Sequence, residues 1–182
     1  MKKITFLFLI AALLMPTAVF AAGPITIGVS FAYLWHPFHA AMKSGAVKMA
    51  ANLGVKLVIL DANDSQLQAL GLQGLITQKV NGILVTPINI DTLVPVIEKA
   101  AAAGILVVTV DRKANTGTVL AHVGVDEVEG GRMAARYIIG RLANKGTVIE
   151  LEGEAGASPA IDRNRGNVRR GNRAVEEGHY RI

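Results

Sequence analysis

The 182-residue sequence contains no cysteine, which excludes disulfides and thiolate metal sites. It also leaves no acceptor for a lipoprotein anchor behind the apolar amino terminus. Charged residues are sparse, at 18%, against 51% hydrophobic ones, a balance that excludes a disordered chain and suits a well-filled core. Strong charge is lacking too. The formal net charge is +5, and Lys2 and Lys3 lie in the leader, which leaves +3 for the rest. The basic residues are not interleaved with aromatics, so nucleic acid is not an expected partner. No nucleophile–base pair, metal set, phosphate loop or cofactor site stands out, which argues against an enzyme.

The amino terminus points to export. Lys2 and Lys3 precede an apolar run from Ile4 to Met15, Pro16 breaks it, and Val19-Phe20-Ala21 offers small or aliphatic residues where a signal peptidase reads. A signal peptide over residues 1–21, cleaved after Ala21 or Ala22, is the expected reading. The run is shorter than the ~20 residues that a membrane-spanning helix needs. The expected location is therefore the periplasm, and the remaining chain of about 160 residues holds one domain, or one and a fraction.

Beyond the leader, short β-branched runs alternate with helical spacings. Ile25–Val29 reads as a strand. From Pro37 the positions Phe38, Met42, Gly45, Met49 and Leu53 share one helical face, with Gly54 as its stop. Val55–Leu60, Gly82–Val85 and Ile105–Val110 read as further strands. Between them, Ser65–Lys79 reads as a helix with Leu67, Leu70, Leu75 and Ile76 inward, and Asp91–Ala103 as one opened by an acidic cap. Val119–Val125 and Thr147–Leu151 complete the strands. A helix capped by Asp126 runs to about Ala143, another spans Ser158–Glu177, and Tyr180-Arg181-Ile182 could open one more strand. Continuous apolar strands imply burial on both faces, and hence an α/β fold with a parallel sheet flanked by helices.

In such a sheet, ligands bind beyond the carboxyl ends of the strands. The residues there are Ser30, Phe31, Tyr33, Trp35, His36, Phe38 and His39 after the first strand, then Thr86, Pro87 and Asn89, then Asp111 and Arg112. The loop from Gly153 to Ser158, and Arg163, follow later. Aromatic faces beside groups that donate and accept suit a sugar. Plainer readings stand beside this one. Asp111-Arg112 could be a local ion pair, Trp35 and Phe38 could be core, and His36 with His39 has the spacing of a metal pair but no third ligand nearby. The glycine-rich loop lacks the lysine of a P-loop. The six arginines from Arg163 to Arg181 suit a solvated helical face.

These residues carry a resemblance. Ser30 followed by His36-Pro37-Phe38-His39, the strand end Thr109-Val110-Asp111-Arg112, and Gly153–Gly166 with Ser158 and Arg163 in register resemble the ribose-type periplasmic binding proteins, the substrate-binding components of ABC sugar transporters. Gly82–Pro87 and Asp126 followed by Gly130-Gly131 support it, and the likeness runs from about Ile25 to Arg173. It implies two α/β lobes joined by three crossing strands, with a monosaccharide in the cleft and a membrane permease as partner. Residues 22–125 would be the amino-terminal lobe and residues 126–182 the beginning of a second lobe that this chain leaves incomplete.

By the resemblance, Asp111, Arg112 and Arg163 bind sugar hydroxyls, Phe38 packs on the ring, and Ser30 is a polar contact. Trp35, His36, His39 and Thr86 complete the expected ligand set. His36 and Thr86 replace asparagines of the family, and His39 replaces an aromatic. Asn167 also stands where an aromatic is usual, and the loop from Ser30 to Pro37 is longer by about two residues. Such departures make ribose itself doubtful. With the second lobe incomplete, weak sugar binding or none is expected, and a non-functional remnant is one reading. A sensory co-receptor that presents a sugar to a membrane signalling protein is another. A regulator of lac-repressor type would need a helix-turn-helix where the leader stands. An exposed sheet edge leaves self-association open.

Overall fold

The computed structural model describes residues 23–143 and 145–176, with only the backbone given for 168–176. Five parallel strands form one sheet, β1 (Thr26–Phe31), β2 (Lys56–Asp61), β3 (Gly82–Val85), β4 (Leu106–Val110) and β5 (Ala121–Val123), in the order β2-β1-β3-β4-β5. The helices are α1 (Pro37–Leu53), α2 (Ser65–Thr77), α3 (Val94–Ala102), α4 (Glu127–Arg141) and α5 (Ser158–Glu176). The chain steps outward from β1 to β2, then returns to lay β3 on the other side of β1. The connections leaving β1 and β3 therefore diverge, and a crevice opens between their carboxyl ends.

Helix boundaries follow local chemistry. Pro37 sits in the first turn of α1, where a missing N–H costs nothing, and Gly54 closes that helix in the left-handed conformation (φ 64°). Asp64 caps α2 by accepting from the Gln66 and Leu67 amides, and Asp126 caps α4 by accepting from Glu129 N. The acidic cap expected from Asp91 is not formed. Asn89 Oδ1 accepts from the Asp91 and Thr92 amides and starts a turn that becomes helical only at Val94. Asp91 instead accepts from Asn115 Nδ2.

The main core lies on one face of the sheet, where α2 and α3 press Leu72, Leu75, Val96, Ile97 and Ala100 onto Ile83, Val85 and Val107. Each fully buried aliphatic side chain contributes about 1.5–3 kcal/mol. In α2 the inward positions are Gln68, Leu72 and Leu75, while the expected Leu67 and Leu70 are exposed. In α1 the buried positions are His39 and Ala50, and the expected Phe38, Met49 and Leu53 are exposed. Leucine and methionine occur on several faces of these helices, so periodicity left the phase undetermined.

Burial of every strand on both faces is not observed. Leu106 and Val123 are exposed, because among the described residues no helix covers that side of β4 and β5. Thr147–Leu151 forms no strand, and Ile149 and Leu151 are exposed. A strand exists only through a ladder with a neighbour, and none is paired with this stretch. Of the carboxyl-terminal expectations, Glu177 and Tyr180-Arg181-Ile182 lie outside the described residues.

Helices α4 and α5 cross at backbone contact. A Cβ on Gly131 would lie 2.1 Å from Arg163 O, and one on Gly166 2.2 Å from Val128 O. Gly131→Ala and Gly166→Ala should each destabilise by about 1–3 kcal/mol, since backbone cannot step aside as a side chain can. Gly140, a helical glycine with open space around its Cβ position, serves as the control. Gly140→Ala should be neutral or stabilising by up to about 1 kcal/mol. Urea unfolding that ranked the three alike would contradict the close crossing.

Candidate functional site

The crevice gathers side chains from the loops after β1, β3 and β4. After β1 the chain turns through Tyr33-Leu34-Trp35-His36, with His36 N bonded to Tyr33 O at 3.1 Å. His36 then caps α1, its Nδ1 accepting from Phe38 N at 3.3 Å. This employment requires an unprotonated Nδ1 and turns the ring toward its neighbours. Tyr33 and Trp35 have ring centroids 5.7 Å apart, Trp35 and His36 5.8 Å, His36 and His39 5.7 Å, and Phe38 and His39 5.6 Å. Trp35 is 72% exposed and Phe38 51%, so neither is core. They form an aromatic ledge open to solvent.

Against these rings lies a strained turn. Asp111, directly after β4, has φ 65°, a left-handed conformation that asparagine and aspartate tolerate better than most residues. Asp111 N bonds to Val123 O at 2.8 Å and Arg112 N to Val110 O at 2.7 Å, which pins the turn to the sheet. Both side chains are thereby delivered to the crevice. Asp111 Oδ2 lies 3.7 Å from His39 Nε2 and 4.0 Å from Arg112 Nε. His39 Nδ1 lies 3.0 Å from Tyr33 O, and a carbonyl can only accept, so that nitrogen carries the proton.

Arg112 donates from Nη1 to Ile88 O at 3.2 Å, pairs with Glu154 Oε2 at 2.9 Å, and lies over the Tyr33 ring at 5.5 Å. The Tyr33 hydroxyl donates to Glu154 Oε1. Burial foremost, and then the Glu154 hydrogen bond and charge, push the Tyr33 phenol above its ordinary value, while Arg112 pulls it down.

Ser30 and Thr86, both expected as ligand contacts, lie deeper. They are 1% and 2% exposed and share a buried network with Gln68. Gln68 Nε2 donates to Thr86 O at 2.9 Å and to Ser30 Oγ at 3.2 Å, and its Oε1 accepts from Ile88 N at 2.9 Å. Gln68 therefore ties the ends of β1 and β3 to α2. Toward α1, Ser30 and Thr86 border an apolar cavity of about 190 Å³ shared with Val29, Met42, Gly45 and Leu84.

Arg163 does not join Asp111 and Arg112. Its Nε pairs at 2.7 Å with Glu127 Oε2, which is buried at the start of α4, and its own side chain is largely exposed. The 153–162 segment reaches the crevice through other residues. Gly156 O accepts from Ile90 N at 2.8 Å, Ser158 Oγ from Lys113 N at 2.7 Å, and Asp162 pairs with Lys113 Nζ at 2.8 Å. Sequence reasoning passed over Gln68, Glu154 and Asp162. A lone polar residue in the leucine-rich α2 was the available signal for the first. For Glu154 only the loop's place after a candidate strand was visible, and for Asp162 only its place near the start of a candidate helix.

A doubly wound parallel sheet with aromatic and charged side chains gathered at its carboxyl edge defines an α/β protein of the open-sheet class. A family model described as "Periplasmic binding protein domain" matches residues 27–172. The chain belongs to this family. It is 41% identical over 142 residues to the ribose import binding protein of Bacillus subtilis (strain 168), covering 78% of this chain and 47% of that relative. It is 35% identical over 167 residues to the ribose import binding protein of Escherichia coli (strain K12), covering 91% and 56%. A crystal structure of a galactofuranose binding protein superposes with a TM-score of 0.77 at 27% identity, covering 84% of this chain and 53% of the other. A Caulobacter myo-inositol binding protein bound to myo-inositol gives 0.77 at 31% identity, covering 82% and 51%. These relatives are all named as binding proteins. The chain spans about half the length of the curated relatives it matches.

Two outcomes follow from this geometry. Gln68→Leu would leave Ile88 N and Thr86 O without their buried partner, and should cost about 1–3 kcal/mol in urea unfolding. A neutral result would remove Gln68 from its role as the tie. The second concerns His122 on β5, whose Nδ1 lies 2.9 Å from Thr109 Oγ1 and whose Nε2 is buried without a partner among the described residues. Burial first, then the Lys113 charge, lowers its pKa from 6.5, against opposing contributions from Asp111, Thr109 and Asp162. Its contribution to stability is therefore complete above about 6.5 and is lost as pH falls from there toward the lowered value, because the unfolded chain takes up the proton first. Unfolding followed from about pH 7.5 to 5 should weaken less steeply in His122→Gln, and equal slopes would contradict the assignment.

Proposed function

We propose that this chain is the first lobe and the start of the second lobe of an exported monosaccharide-binding protein that serves an ABC importer. The observation that carries the reading is the pinned left-handed turn at Asp111-Arg112 facing the open Trp35–Phe38 ledge. A carboxylate and a guanidinium give charge-assisted bonds to sugar hydroxyls, and exposed rings cover the apolar faces of a pyranose or furanose. The match to relatives named for ribose import supports a hydroxyl-rich ligand. His36, His39, Asp111 and Arg112 belong to the site in this reading. Ser30 and Thr86 set the floor beneath it.

Arg163 would reach a ligand only by leaving Glu127. Residues 1–21 act as a signal peptide that delivers the protein to the periplasm, and residues 22–125 and 126–182 divide the chain into its lobes. In the whole protein the sugar draws the lobes together, because a ligand favours whichever conformation it contacts more fully. The closed form then docks on the membrane permease. A sensory role is the second reading. It is favoured by the likeness to a fructose binding periplasmic domain of a hybrid two component system, with a TM-score of 0.76 at 28% identity.

Thermal unfolding with ribose, galactose, fructose and myo-inositol tests the site. One of these should raise the midpoint, by linkage of about 2.7 kcal/mol at a hundredfold excess over Kd. Asp111→Asn and Arg112→Gln should each abolish the rise. Because the chain spans about half its relatives' length, the expected binding is weak. Insensitivity to every sugar, or a response that survives Asp111→Asn, would sink the proposal.

A further inference from the structure

The Arg112 guanidinium is occupied by the protein itself. Its Nη1 meets Ile88 O and Glu154 Oε2, Asp111 stands 4.0 Å from Nε, and the Tyr33 ring lies beneath it. An arginine left free at the end of a strand would be the strongest carboxylate-binding group of the crevice, since its fork matches a carboxylate with two parallel bonds. Here one cation faces two carboxylates, Asp111 and Glu154. Both are acceptors only when ionised, so what they can bind must bring hydrogen-bond donors.

Glu154 is held by its loop. Gly153 and Gly156 turn the backbone with φ 88° and 80°, and Gly156 O accepts from Ile90 N. A Cβ on Gly156 would lie 2.2 Å from Asn89 Nδ2, so the loop is seated against the β3 connection. Ser158 Oγ, two residues on, takes the Lys113 amide. Glu154 keeps 41% of its side chain exposed, enough to meet a ligand above the ledge. We infer that Glu154 is a specificity-determining residue of the sugar site, which by holding Arg112 and Tyr33 turns the site away from sugar acids and toward hydroxyl ligands that are neutral or carry an amine.

The inference rests on the sugar-site reading and adds a charge rule to it. A uronate would have to displace Glu154 from Arg112 and sit beside two carboxylates, and like charges brought together at a recognition site discriminate strongly. An ammonium group would instead be drawn to the carboxylates and to the faces of Trp35 and Phe38.

The test compares D-galactose, D-galacturonate and D-galactosamine on the purified chain and on Glu154→Gln, by calorimetry and thermal shift. Glutamine keeps the size of the side chain, removes its charge and turns one of the two accepting oxygens into an NH2 donor, so it can accept from Arg112 or from Tyr33 but not from both. The unsubstituted chain should bind galacturonate more weakly than galactosamine by on the order of tenfold or more. Glu154→Gln should close that gap by gaining galacturonate and losing galactosamine. A chain that prefers galacturonate, or a folded Glu154→Gln with the same ranking, overturns the inference. Should the variant not fold, the ranking by the unsubstituted chain decides. If neither protein responds to any sugar, the sugar reading itself fails. Tyrosine titration by ultraviolet absorbance then tests the contact alone. The phenol of Tyr33 should ionise at lower pH in Glu154→Gln, and an unmoved titration would remove Glu154 from Arg112 and Tyr33.

Discussion

One partly buried cation organises the crevice. Arg112 gathers the carbonyl of Ile88 after β3, the ring of Tyr33 after β1, the carboxylate of Asp111 beside it and the carboxylate of Glu154 from the 153–158 loop. A guanidinium withdrawn from water must have its donors and its charge satisfied, or the conformation that buries it is not populated. Three other pieces of chain are therefore bound to one point beside Asp111. The aromatic ledge, the strained turn and the loop before α5 all take their places relative to it.

That arrangement differs in kind from the rest of the fold. The sheet and its α2–α3 face are held by area removed from water, and the ties there are tolerant of small displacements. The 153–162 segment is attached to the loops after β3 and β4 by polar contacts instead. Ile90 N to Gly156 O, Lys113 N to Ser158 Oγ, Lys113 to Asp162 and Arg112 to Glu154 form that seam. Polar contacts are directional and exchange readily with water or with a ligand that offers the same groups. A seam of this kind can open and reclose around a small molecule, whereas a buried apolar interface between the two segments would resist opening.

The expected site residues separate by depth once the chain is folded. Trp35, His36, Phe38, His39, Asp111 and Arg112 come together at the crevice. Ser30 and Thr86 fall behind it because Gln68 needs partners, and a buried amide draws the nearest hydroxyl and carbonyl to itself. Arg163 turns to Glu127, since a carboxylate buried at the first turn of α4 requires a counter-charge and Arg163 crosses that turn on α5. Glu154 reaches the site that Arg163 does not. Nothing in its immediate sequence distinguishes it from a solvated loop residue.

The sequence by itself determined the alternation of strands and helices as far as Asp126, the parallel α/β class, and the caps at Gly54 and Asp126. These depend on neighbours along the chain: periodicity, β-branching, a glycine or an aspartate at a helix end. Tertiary structure alone decided which face of α1 and α2 turned inward, that Asp111 is left-handed, that Thr147–Leu151 finds no partner strand, and which carboxylate meets Arg112. Each of those outcomes is settled by a contact between residues far apart in the chain, such as Asp111 N with Val123 O or Arg112 with Glu154. Local pattern carries propensity, but the pairing of charges and the phase of a helix are fixed only when the distant partner arrives.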